Sequence, residues 1–123
     1  MAIVKYSTGP IDNQESSIYP GNIYANVDIL ILNNNQHRAA NVTIKLFKLQ
    51  GQKQLVITKK RRVVRNTSSS VSLDVSGLDK FEIQFIVNQP GTRIQVRRSV
   101  LLTATGSDEA GQFVSRLPIK ITV

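Results

Sequence analysis

The densest chemistry in the chain lies at Lys59-Lys60-Arg61-Arg62, with Arg65 three positions further on. Side chains of this kind make and break no bonds; they attract phosphate, sulfate or carboxylate groups, so the activity they suggest is binding to a polyanion such as nucleic acid or an anionic glycan. In a strand, Lys59, Arg61 and Val63 take one face and Lys60, Arg62 and Val64 the other, so at least one charged set must reach solvent around a sheet edge. Cations on an edge strand also have a purely structural use, since they discourage pairing with other chains. Arg97 and Arg98 reinforce the patch if their strand lies nearby. Support for stacking unpaired bases is thin: of four Phe and three Tyr, Phe81 and Phe85 fall in a core-like pattern, and the sequence therefore does not favour nucleic acid as the partner.

Catalytic constellations are missing from the pattern. The single histidine, His37, lies in the loop-like NNNQHRAA, and one histidine without acidic neighbours makes no zinc site. The eight carboxylates are mostly solitary, and Asp108-Glu109 stand in a turn-like stretch where acidic residues are favoured for backbone reasons. No pair is spaced for acid/base work, and no Gly-rich phosphate loop or metal motif is present. The expectation is a non-enzyme with no cofactor and no metal. Cysteine is absent, so disulfides and thiolate chemistry are excluded. Asn41-Val42-Thr43 and Asn66-Thr67-Ser68 fit the glycosylation acceptor pattern, but no signal-peptide-like apolar run accompanies them. No window approaches the roughly 18 to 20 apolar residues of a membrane span, and a soluble protein with no membrane partner is expected.

The elements that must position these residues are strands. Val27, Ile29 and Ile31 follow Ile23 and Ala25 in alternation; Ala40, Val42, Ile44 and Leu46 alternate with polar partners. After the turn-like LQGQK, residues 54–65 read as a long extended stretch. Val71, Leu73 and Val75 alternate again, as do Phe81, Ile83, Phe85 and Val87, and residues 93–105 and 112–123 complete the set. Pro118 in the last run points to an edge or a strand start. No stretch of twelve or more residues carries a helical period. The fold class predicted is all-β, an antiparallel β-sandwich of jelly-roll or Ig-like type with about seven to eight strands and an N-terminal extension. With 123 residues, one such domain buries a sufficient core. The net charge of +8 is local: residues 38–65 hold nine basic residues and no acidic one.

The N-terminal MAIVKY raises a separate possibility. Residues 8–21, TGPIDNQESSIYPG, have linker composition, and a structureless loop of that length inside a compact domain is uncommon. The division this predicts is a donor strand at 1–7, a flexible linker at 8–21 and a sandwich at 22–123. The strand Ala2, Ile3, Val4, Lys5 and Tyr6 would complete a neighbour's sheet, with Ile3, Val4 and Tyr6 as anchors, and a dozen linker residues can reach about 40 Å. The Phe81–Val87 stretch and the Leu117–Val123 run are the candidate sides of the acceptor groove. A head-to-tail contact of this sort propagates into filaments unless it closes.

The stretches VDILILNNN, VTIKLFKLQGQK, VSLDVSGLDKFEIQFIV and SVLLTATGSDEAGQFV resemble the small sandwich proteins of spore-forming bacilli, in particular the endospore appendage subunits. That resemblance implies jelly-roll pilins joined by an N-terminal connector, a homopolymeric filament, an extracellular position at the spore surface and a spore-surface anchor protein as a further partner. Covalently linked members carry connector cysteines, which this chain lacks, so it resembles a non-covalent, strand-donating type. The function expected is therefore a self-assembling filament subunit. The rivals are a monomeric basic sandwich that binds a polyanion through Lys59, Lys60, Arg61, Arg62 and Arg65, and a phage or virion structural protein.

Overall fold

The period-2 pattern is realised as two antiparallel sheets that enclose one apolar core. The computed structural model describes residues 1–14 and 23–122. In chain order the elements are β1 (Ala2–Ser7), β2 (Ile11–Asp12), β3 (Asn26–Asn33), β4 (Ala40–Lys48), β5 (Gln54–Val63), β6 (Thr67–Asp74), β7 (Lys80–Gln89), α1 (Arg93–Ser99), β8 (Val100–Ser107), β9 (Phe113–Leu117) and β10 (Lys120–Ile121). The first sheet runs β10-β1-β7-β4-β5, with β2 also on β7; the second runs β6-β3-β8-β9. The all-β sandwich is as the sequence predicts, with ten strands rather than seven or eight.

The core is built from the alternating positions. Val27, Ile29 and Ile31 of β3 face Ala40, Val42, Ile44 and Leu46 of β4 and Phe81, Ile83, Phe85 and Val87 of β7 in one buried cluster. The alternate side chains of these strands, such as Asp28, Asn41 and Glu82, lie toward solvent.

Two departures from the predicted elements have local causes. Residues 93–99 form a helix instead of opening a strand. Thr92 caps it: the Thr92 Oγ1 accepts from the Gln95 N–H at 3.2 Å, and the Gln95 Oε1 accepts from the Thr92 N–H at 2.9 Å. This capping box is present in the sequence as Thr-x-x-Gln, but a helix of seven residues burying only Val96 leaves no periodic signature. The run at 112–123 is not one strand. It breaks at Pro118, which has no N–H to give a ladder, so β9 stays in the second sheet and β10 crosses to the first.

The N-terminal division also needs correction. β1 is paired within its own chain, from Ala2 opposite Gln89 to Ser7 opposite Gln84, and it also pairs β10 through Tyr6–Ile121 and Ser7–Lys120. Residues 8–14 are not a free linker. The Thr8 N–H donates to the Ile83 carbonyl at 3.0 Å, the Ile83 N–H donates to Thr8 Oγ1 at 3.1 Å, and β2 continues on β7 opposite Phe81 and Lys80. The remainder of the proposed linker, residues 15–21, lies outside the described residues.

Candidate functional site: the first-strand groove and an arginine-rich pole

The alternation of a strand decides which β1 side chains anchor it. Val4 is fully buried, Ala2 nearly so, and Tyr6 packs half-buried against the core, whereas Ile3 is 49% exposed and Lys5 lies beside it on the outer face. The anchors are Ala2, Val4 and Tyr6; Ile3 is not one. The strands flanking β1 are β7 and β10, the same two stretches the sequence nominates as sides of an acceptor groove.

Two ionisable groups hold this strand. Ser7 Oγ donates to Glu82 Oε2 at 2.5 Å, and Lys53 Nζ pairs with Glu82 Oε1 at 2.8 Å. Desolvation alone would raise the Glu82 pKa, but hydrogen bonds from Lys53, Ser7 and Gln84, with the Lys53 charge, outweigh it and hold the carboxyl below its ordinary range. Burial pushes the Tyr6 hydroxyl up, partly opposed by the nearby Arg97 charge. At the end of the segment Asn13 is fully buried. Its Nδ2 donates to the carbonyls of Tyr24 at 2.9 Å and Leu78 at 3.0 Å, and its Oδ1 accepts from the Tyr24 N–H at 2.6 Å.

The basic run is divided as its parity requires. β5 is the outer strand of the first sheet. Lys60 and Arg62 lie opposite Thr43 and Asn41 on the outer face; Lys59 and Arg61 lie opposite Ile44 and Val42 on the other. Lys59 Nζ reaches across to the Ser72 carbonyl of β6 at 3.0 Å, covering an edge acceptor of the second sheet, which is a structural use of the kind expected for edge lysines. The five residues Lys59, Lys60, Arg61, Arg62 and Arg65 thus divide between the two faces of the edge strand β5 and the turn that follows it. Arg97 and Arg98 sit on α1 and not on a strand.

The topology makes a different grouping. One end of the sandwich carries the β3–β4 loop, the β5–β6 turn and the β7–β8 connection with α1. Arg38, Arg61, Arg62, Arg65, Arg93, Arg97 and Arg98 all lie in or beside these segments, seven of the eight arginines, with Arg116 on β9 as the exception. Lysines instead occupy strand middles and the opposite turns. All seven acidic residues among the described ones, Asp12, Asp28, Asp74, Asp79, Glu82, Asp108 and Glu109, belong to the other half. Period-2 reading along a strand cannot show this segregation, because it arises from which loops the fold brings to one end.

At this arginine-rich pole a concavity of about 610 Å³ is lined by Arg38, Arg98, His37, Gln36, Gln95 and Ser99 among others. Its floor is a buried polar network. Asn33 and Gln89 are both fully buried; Gln89 Nε2 donates to Asn33 Oδ1 and to the Arg38 carbonyl, each at 3.2 Å. Ser99 Oγ donates to Gln89 Oε1 at 3.0 Å, and Asn33 Nδ2 to the Arg38 carbonyl at 2.9 Å. The β3–β4 loop and the C-terminal end of α1 are therefore locked together. His37 is an exposed member of this rim. Among the described residues no group of three or more His, Cys, Asp or Glu side chains is placed to hold a metal, and no helix is long and apolar enough to cross a membrane.

The architecture is similar to the crystal structure of Thermotoga maritima 1070, with a TM-score of 0.51 and 13% sequence identity over 96% of this chain and 90% of that one. At that identity the likeness is one of fold alone. No family model matches the chain, and no curated protein matches it.

Proposed function

We propose that the protein is a structural subunit of an extracellular filament and that it self-associates by exchanging its first strand with a neighbour. The observation that carries this reading is the placement of β1. It is the first strand, inserted between β7 and the two-residue β10, and it fills a slot beside the fully buried Phe85 and Val87 of β7. Withdrawn, it would leave a groove that only an equivalent strand fills as well. The exchanging unit is residues 1–14, because β2 and Asn13 continue the same attachment. The resemblance to endospore appendage subunits adds a spore-surface location and an anchoring partner to the proposal.

Lys5 directs its carbonyl to the Thr122 N–H of β10 at 2.9 Å, so Lys5–Ile86 is a non-hydrogen-bonded pair with β7, and by alternation Ile3–Asn88 is another. Such pairs bring Cα atoms to about 4.5 Å, within disulfide reach, and the chain has no other cysteine. Ile3→Cys combined with Asn88→Cys, oxidised after concentration, should give a covalent ladder on a non-reducing gel if the strand is exchanged. A single band at monomer mass at every concentration would overturn the proposal.

A further inference from the structure

Seven arginines at one end of a sandwich, with no carboxylate among the described residues there, are an unneutralised charge. The one ion pair between described side chains, Lys53–Glu82, is at the other end. Arg65 Nη1 donates to the Gln36 carbonyl at 3.2 Å, which fastens a third arginine to the loop that lines the concavity with Arg38 and Arg98. We propose that this concavity and the arginines around it bind the phosphodiester backbone of nucleic acid without reading base sequence.

Three observations favour this occupant over the alternatives. The cations are arginines, whose planar guanidinium matches phosphate oxygens two at a time and which are preferred for phosphate recognition, while the lysines of the same chain are placed elsewhere. No Phe, Tyr or Trp lines the concavity, and its one ring is the exposed His37 imidazole on the rim, so a sugar face or an unstacked base has little platform there and contact falls mainly to the backbone. The scarcity of aromatic side chains bears on base stacking, which backbone contact does not need. A second copy of the chain is a poorer match for the pole because most of its described acidic residues are engaged locally, Glu109 being the exposed exception. Asp108 Oδ1 accepts from the N–H groups of Ala110 and Gln112, Asp74 Oδ1 from Ser76, Asp79 from Gln50, and Glu82 from Lys53 and Ser7. The buried Asn33–Gln89–Ser99 network holds the rim in place before any ligand arrives, which reduces the ordering cost of binding.

The proposal is independent of strand exchange. Its test is fluorescence anisotropy of a labelled 20-base-pair duplex and a 20-nucleotide single strand, titrated with the intact protein and with two charge-matched variants. One reverses two arginines of the concavity, Arg38→Glu with Arg98→Glu; the other reverses two lysines of the opposite half, Lys48→Glu with Lys80→Glu. Circular dichroism and thermal melting of each verify the fold. Either probe should bind, with a log–log salt slope of about −3 for three phosphate contacts on the duplex. The arginine variant should lose at least about 30-fold in affinity, equivalent to two charge-assisted contacts, and the lysine variant less than about 3-fold. Equal losses in the two variants would reduce the effect to net charge and overturn the assignment. So would binding of heparin with no binding of either oligonucleotide, which would make the pole a sulfated-glycan site, and so would the absence of binding to any of the three. Should the arginine variant fail to fold, Arg65→Glu alone, on an exposed side chain, should still weaken duplex binding and lower the salt slope by about 1; no change in either would count against the proposal.

Discussion

Asn13 illustrates how one side chain fixes the boundary of a segment. It is a small amide in a polar stretch, yet it is fully buried and engages the backbone of Tyr24 and Leu78 at once, joining the end of β2 to the entry of β3 and to the β6–β7 turn. Replacing it with alanine removes both donor and acceptor and leaves buried backbone groups without partners. The cost of each such loss is about 1–3 kcal/mol. Asn13→Ala should therefore lower stability by roughly 2–4 kcal/mol, read as a shift in urea midpoint at unchanged slope. It should also loosen residues 1–14 and increase the oligomeric fraction in sedimentation velocity if exchange is the assembly route. Nothing in the sequence marked this residue: an asparagine between Asp12 and Gln14 reads as linker, and only the tertiary fold brings two distant backbone segments to it. The buried pair Asn33 and Gln89 was equally illegible, because each occupies a strand end where polar residues are ordinary. Core positions were legible, because burial on one face of a strand leaves a period-2 imprint.

Among the elements, β1 is held by groups that titrate at opposite ends of the pH scale. Glu82, with a folded pKa below its unfolded value of 4.5, contributes stability that is present above about pH 4.5 and is lost as pH falls through the folded pKa. Tyr6, with a folded pKa above 10.0, contributes stability that is present below about pH 10 and is lost as pH rises through its folded pKa. Both act at β1, through Ser7 and through the packing of the Tyr6 ring. Hydrogen exchange of the Ala2–Ser7 amides, corrected for intrinsic rates, should show protection that is greatest between about pH 5 and 9. Glu82→Gln should flatten the acidic side and Tyr6→Phe the alkaline side, while protection of β3 stays constant. A profile unchanged by Glu82→Gln would show that the carboxylate is not what clips the strand. The strands themselves were readable in sequence apart from β2, which at two residues is too short to alternate, and two other places, each with its own physical cause. A seven-residue helix is too short to show a period, and a proline-broken strand keeps its alternation while changing sheets.

For the molecule as a whole, exchange of β1 gains no contact, since the strand makes the same hydrogen bonds and buries the same side chains in either groove. Concentration and the contacts between bodies decide the outcome. A strand tied to its own body over a short stretch experiences an effective concentration on the order of millimolar, so in roughly micromolar solution the closed monomer is favoured by about 1,000-fold, or ~4 kcal/mol. The net charge of +8 adds repulsion between copies. A polymer must recover this from an interface, and the lower part of β5 offers one: Leu55, Val56 and Ile57 are each at least 40% exposed on the outer strand of the first sheet. Burying three such side chains contributes roughly 4–8 kcal/mol gross, enough to reverse the preference. Val56→Lys with Ile57→Lys, both on exposed positions, should change the melting temperature little and keep the chain monomeric at concentrations where the unmodified protein polymerises. Added salt should lower the polymerisation threshold of the unmodified protein by screening its charge. An unchanged threshold in the double variant would move the interface away from β5. A chain that stays monomeric to millimolar concentration in high salt would leave β1 in its own groove, and the arginine pole would then be the surface that gives the protein its function.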